Sequence, residues 1–107
     1  MSSGIEFNNQ QLNINKVFLL DKAQISLDSL PNQEQEKIIR AIDSLALFPD
    51  YSSMSINKLN YIPNCFIGRA GAYRIIFDFK PGKVTVIDIV NHERLEILYG
   101  SSKEAEK

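Results

Sequence analysis

A chain of 107 residues with 44% hydrophobic and 23% charged side chains and a formal net charge of −1 has the make-up of one ordinary globular domain, which excludes an intrinsically disordered chain. The single cysteine, Cys65, leaves no internal disulfide, and one Cys with one His cannot fill a four-ligand structural zinc site. No apolar run nears the ~18 residues of a membrane span, and Met1 to Glu6 shows no basic segment leading into an apolar one. The expectation is a cytoplasmic protein in a reducing compartment, away from membranes, with no metal and no cofactor.

The charge is unevenly distributed. Residues 1–50 carry four basic and seven acidic side chains, whereas residues 51–99 carry six basic and four acidic ones. Between Lys58 and Arg74 stand three cations, Lys58, Arg69 and Arg74, with no carboxylate among them. The whole chain therefore lacks the basic balance of a nucleic-acid binder, but this one segment has a locally positive field.

Residues 1–13 are polar and read as a flexible segment, residues 14–100 as one domain, and residues 101–107 as a flexible tail. Ile14 to Leu20, rich in apolar and β-branched residues, predicts a strand. Asp21 with Gln24 three residues on predicts a capping box ahead of a short helix over about 22–29, with Ala23, Leu27 and Leu30 turned inward and Pro31 as its stop. Asn32 is placed to cap a second helix, with Glu34 and Glu36 near its positive end. In that helix Ile38, Ile39, Ile42, Leu45 and Ala46 recur at spacings of three and four, and Pro49 ends it at Phe48. The short connection predicts a helical hairpin, and residues 49–57 read as loop.

The remainder predicts antiparallel strands. An early strand around Cys65 to Gly68 leads through Arg69-Ala70-Gly71-Ala72 to Tyr73. There Tyr73, Ile75, Phe77 and Phe79 alternate with Arg74, Ile76, Asp78 and Lys80, so one face is wholly apolar and Arg74 lies on the mixed face, towards water. Pro81-Gly82 suits the central positions of a type II turn, and Lys83 to Val90 returns as the partner strand. The predicted class is α+β: an N-terminal strand, a two-helix hairpin, then a three-stranded antiparallel meander and a short C-terminal segment ending near Tyr99.

No glycine-rich phosphate loop is present. The polar cluster Asn91-His92-Glu93-Arg94-Leu95-Glu96 directly follows a strand. His92 is suited to proton transfer near neutral pH, Arg94 to bidentate contact with a phosphate, and Tyr99 to stacking on a base. A capped surface turn with Arg94 paired to a nearby glutamate accounts for the same residues. Cys65 reads as a half-buried apolar residue.

The order of these motifs resembles the RelE/ParE superfamily of small bacterial toxins from type II toxin–antitoxin systems. The resemblance runs from about Lys16 to Gly100. It rests on Val17-Phe18-Leu19-Leu20-Asp21-Lys22-Ala23, the Leu30-Pro31 break, Asn57-Lys58-Leu59, Arg69 to Phe77, and Asn91 to Tyr99. It implies a RelE-like microbial ribonuclease-type fold and a cognate antitoxin as partner in a hetero-oligomer. RelE-like members act on mRNA on the ribosome, where the 2′-hydroxyl attacks the adjacent phosphate. ParE-like members poison DNA gyrase by binding, and a catalytically degenerate antitoxin-binding module is a third possibility. Carried over by position, the resemblance implies Arg74, His92, Arg94 and Tyr99 as catalytic residues and Lys58 and Arg69 as substrate-binding ones; Glu93, an extra acid beside His92, is a further catalytic candidate as its partner in proton transfer. The strand Cys65-Phe66-Ile67-Gly68 departs from the pattern, because strongly active ribosome-dependent members often carry a pair of lysines there.

Overall fold

A computed structural model describes residues 14–60 and 62–99; the segments 1–13 and 101–107 expected to be flexible lie outside the described residues. The chain runs β1 (Lys16–Leu19), α1 (Asp21–Asp28), α2 (Asn32–Ser44) with a 3-10 turn at Leu45–Leu47, β2 (Ser55–Lys58), β3 (Cys65–Ala70), β4 (Tyr73–Lys80), β5 (Lys83–Asn91) and α3 (His92–Tyr99). The α+β class and the helical hairpin are as expected. The sheet is larger than the expected meander: five strands in the order β1-β5-β4-β3-β2. β1 lies parallel to β5, with Val17 beside Val84 and Leu19 beside Val86. At the opposite edge β2 pairs antiparallel with β3, so part of the 49–57 segment read as loop is strand. Ser55-Ile56-Asn57-Lys58 offers one partly buried apolar side chain, Ile56, and its four residues are ordered by ladder bonds more than by burial.

The hairpin helices begin differently from expectation. Leu20 and Pro31 occupy the cap positions, neither helix has a side-chain cap bond, and Asp21 and Asn32 are first helical residues. Gln24 instead donates to the Asp28 carboxylate at 3.0 Å, one turn on. α2 stops at Ser44 and tightens into the 3-10 turn before Phe48, and Ile39, expected on its apolar stripe, is exposed. The stripe that packs is Ile38, Ala41 and Ile42, followed by Leu45.

Two apolar clusters hold the sheet from its two faces. Between the hairpin and the sheet lie Ala23, Leu27, Ile38, Ile42, Leu45, Phe48, Ile75, Phe77, Val84, Val86 and Ile89. Phe48 sets its ring edge-on to Phe66, Phe77 and Phe79 at 5.3, 5.3 and 5.0 Å, a geometry aromatic quadrupoles favour. On the other face Leu59, Cys65, Ile67, Ile76, Val90 and Leu95 form a second, smaller cluster. Cys65 is thus fully buried, not half-buried; desolvation first, and the nearby Asp78 second, push its thiol pKa up.

Between β4 and β5 the register skips one residue: Ile76 faces Asp88 and Phe77 faces Val86, so Ile87 is extra. This bulge re-aims the strand. The Asp88 carboxylate, 3% exposed, accepts from the Ser26 hydroxyl at 3.2 Å and from the Ile89 N–H at 2.8 Å, with the Lys22 ammonium at 3.6 Å. α1 is thereby tied to the centre of the sheet by polar contacts as well as by Ala23 and Leu27.

Candidate functional site

The β3–β4 connection is a two-residue loop, Gly71-Ala72, with Gly71 at φ +61°, the left-handed geometry that a tight hairpin asks of its first loop position. Register then places Arg69 directly opposite Arg74. Alternation puts both on the face of the second cluster, in line with Ile67 and Ile76. Directly opposed like charges destabilise a strand pair. Arg74 is half-buried instead of pointing freely into water, and its Nη1 donates to the Tyr73 carbonyl at 3.1 Å and to the Gly71 carbonyl at 3.4 Å. Burial, and behind it the charge of Arg69, lower the Arg74 pKa from its ordinary value. Among the described residues neither arginine forms an ion pair. The hairpin end therefore carries two uncompensated guanidinium groups side by side, suited to an anion between them.

The next strand brings the histidine to the same end of the sheet. Arg74 lies beside Val90 and Tyr73 beside Asn91, and the chain passes at once from β5 into α3. The Asn91 side-chain oxygen accepts the Arg94 backbone N–H at 2.8 Å, which caps α3. Leu95, 3% exposed, seats the helix on the second cluster. His92, in the first turn, lies with Nε2 at 3.2 Å from a Glu96 carboxylate oxygen, both side chains about half exposed. The C-terminal segment is thus a capped helix, and Glu96, one turn on, is the acid against His92. Glu93 is an exposed acid of the first turn, and Arg94 is exposed. Tyr99 ends α3, and its side chain lies outside the described residues.

Lys58 is placed apart from the arginine pair. It pairs with Phe66, so it sits on the face of the helical hairpin, three residues (roughly 10 Å) along β2 from Ser55, which faces Arg69. Sequence reasoning passed over Glu96 as the partner of His92, although their i,i+4 spacing signals the pair once the segment is taken as helix. Among the described residues no group of three or more His, Cys, Asp or Glu gathers into a metal site, and no helix is long and apolar enough to cross a membrane.

This fold, a five-stranded sheet with one parallel edge strand, a helical hairpin on one face and a short C-terminal helix on the other, matches solved RelE and ParDE structures. The chain is similar to RelE in the RelB-RelE antitoxin-toxin complex from Methanococcus jannaschii, with a TM-score of 0.64 and 14% identity over 77% of this chain and 98% of that one. It is similar also to a free double mutant of the E. coli toxin RelE, with a TM-score of 0.64 and 18% identity over 85% and 97% of the two chains. A chromosomal ParDE toxin–antitoxin system from P. aeruginosa matches at a TM-score of 0.59 with 11% identity, covering 74% and 97%. At these identities the likeness establishes the fold. No family model matches the sequence, and comparison with curated proteins gives no match.

Proposed function

We propose that this protein is a cytoplasmic toxin of a toxin–antitoxin pair that inhibits translation by cutting mRNA on the ribosome. The observation that carries the reading is the opposed Arg69–Arg74 pair, without a counter-charge, at the sheet end where His92 begins α3. A cut through the RNA's own 2′-hydroxyl needs three things: an aligned strand, stabilisation of the charge that gathers on the phosphorus oxygens, and two proton transfers. The 2′-oxygen bonds to phosphorus while the bond to the 5′-oxygen breaks, leaving a 2′,3′-cyclic phosphate and a 5′-hydroxyl. Arg74 and Arg69 hold the phosphate oxygens, with Arg94 of α3 adding a third guanidinium. His92, oriented by Glu96, passes a proton as acid or base. Glu93 and Tyr99 are the remaining candidates for the second transfer, and Lys58 is left as a contact for a more distant stretch of RNA.

The likeness to a toxin solved in complex with its antitoxin supports a cognate antitoxin as partner, in a hetero-oligomer. The similarity to a ParDE system and the net charge of −1 favour a second reading, a gyrase-directed toxin that acts by binding alone. Purified protein added to ribosomes programmed with a short end-labelled mRNA separates the two. The nuclease reading expects fragments ending in a cyclic phosphate and a rate reduced about 10²–10⁴-fold in His92→Ala. Intact mRNA together with inhibited gyrase supercoiling would replace it with the second reading.

A further inference from the structure

The two edges of the sheet are unlike. β2 shows Ser55, Asn57 and Lys58 to solvent, the polar finish that keeps an exposed edge from pairing with other chains. β1, at the opposite edge, carries Phe18 at 47% exposed, with Leu20 just after it at 48% and Ile14 just before it at 57%. Lys16 alternates in step with them, while Val17 and Leu19 turn to the cluster beneath the helical hairpin. Ile14, Lys16, Phe18 and Leu20 therefore form one open stripe on the face away from the hairpin, with the Lys83 ammonium 5.5 Å from the centre of the Phe18 ring. The backbone is open in the same place. The Lys16 and Leu20 N–H groups donate to the Gly82 and Val86 carbonyls at 2.9 and 3.0 Å. Strand geometry then aims the N–H and C=O groups of Val17 and Leu19 the other way, out of the sheet, and among the described residues no strand lies there.

We propose that β1 is a homodimer edge, at which the β1 strands of two copies pair antiparallel about a two-fold axis at Phe18 and join their five-stranded sheets into one. The register follows from which backbone groups are free. Val17 exchanges both ladder bonds with Leu19 of the partner subunit, and Leu19 does the same with Val17 of the partner subunit. Phe18 then faces the partner's Phe18 in a non-hydrogen-bonded pair, where side chains approach most closely and an aromatic pair stabilises the strands. Lys16 faces the partner's Leu20, so its methylene stem covers the leucine while its ammonium stays in water. The contact covers about 500 Å² per copy, the size of a weak, concentration-dependent assembly. The axis closes the assembly at two copies, because the edges left outside are the polar β2 strands. Arg69 and Arg74 stand on β3 and β4, away from the joined edges, so each copy keeps its arginine pair open. The inference stands apart from the RNA-directed reading of the protein.

Sedimentation equilibrium on the full chain between about 5 and 500 μM is the first measurement, since an interface of this size gives micromolar or weaker affinity. The weight-average mass is expected to rise from 12.2 kDa towards twice that value. Phe18→Glu sets two carboxylates opposite each other at the axis and should hold the protein at 12.2 kDa, with its thermal melt kept because Phe18 is half exposed. A second test reads the register and leaves Phe18 in place. A mixture of the Lys16→Cys and Leu20→Cys proteins in a glutathione redox buffer is expected to give a disulfide-linked dimer of one copy of each. Neither variant alone should cross-link, because like positions lie about 13 Å apart along the strands across the axis, and Cys65 is buried. A parent that stays monomeric at about 500 μM overturns the proposal. So does cross-linking of either variant alone as fast as the mixture, which would mean contact without this register. A parent that stays monomeric but floats with phosphatidylserine vesicles also overturns it, assigning the stripe to a lipid surface.

Discussion

Replacing Asn15 with alanine should destabilise the fold far more than a substitution next to an edge strand normally does. Asn15 is 4% exposed and joins three parts of the chain. Its amide donates to the Leu45 carbonyl at 3.1 Å and to the Phe48 carbonyl at 2.6 Å, and its side-chain oxygen accepts the Gly82 N–H at 3.0 Å. The losses are unequal. Leu45 O keeps the Phe48 N–H as a partner, and Gly82 is exposed, so its N–H regains water. Phe48 is buried among aromatic rings, and its carbonyl is the group that is left desolvated. Two bonds at about 1 kcal/mol each and one orphaned acceptor at about 1–3 kcal/mol sum to about 3–5 kcal/mol. Against a total stability of about 5–15 kcal/mol this is a large fraction, equivalent to a melting point lower by about 12–40 °C. Urea and thermal unfolding followed by circular dichroism measure it. A loss below about 1 kcal/mol would refute the reasoning, because it would mean that the turn after α2 and the β4–β5 hairpin do not depend on this side chain.

Asp88→Ala should cost about 2–3 kcal/mol, since it strands the Ser26 hydroxyl and the Ile89 N–H beneath α1, whereas Lys22→Ala should cost less than about 1 kcal/mol because the lysine is largely exposed; equal losses in chemical denaturation would contradict this. The raised pKa of Cys65 gives a pH dependence of definite sign. A thiol harder to ionise when folded contributes stability that is fully present below the unfolded thiol pKa and is lost as pH rises through the folded one. Unfolding curves above the usual thiol range should therefore steepen in their pH dependence, and Cys65→Ala should flatten them; the same slope in both proteins would exclude the cysteine as its source.

The strong periodicities carried most of the fold. Ile38, Ile42 and Leu45 mark α2 unaided, and the alternation from Tyr73 to Phe79 with Pro81-Gly82 marks the β4–β5 hairpin, where Gly82 takes φ +87°. What escaped depends on partners distant in sequence. β2 has too little apolar content to show, and the parallel pairing of β1 with β5 has no local signature. The extra residue Ile87 is invisible until the register is known, and with it the reason that Asp88 turns to α1. The site was legible as residue types and less so as geometry. Arg69 and Arg74 stand out in the one stretch free of carboxylates, yet with the early strand ended at Gly68 the four residues 69–72 read as its link to β4. The two-residue loop at Gly71-Ala72 is what sets the arginines face to face.

The most direct test of the account is the map of mRNA 5′ ends in a bacterial host during induction of the protein without an antitoxin, beside the same map for Arg74→Ala. Arg74 is half-buried and bonds only to carbonyls of its own hairpin, so the variant should fold with nearly the parent's melting point. The account predicts growth arrest with new 5′ ends inside translated codons for the parent, and neither for the variant. Arrest with no new ends, or identical ends in both strains, would contradict it.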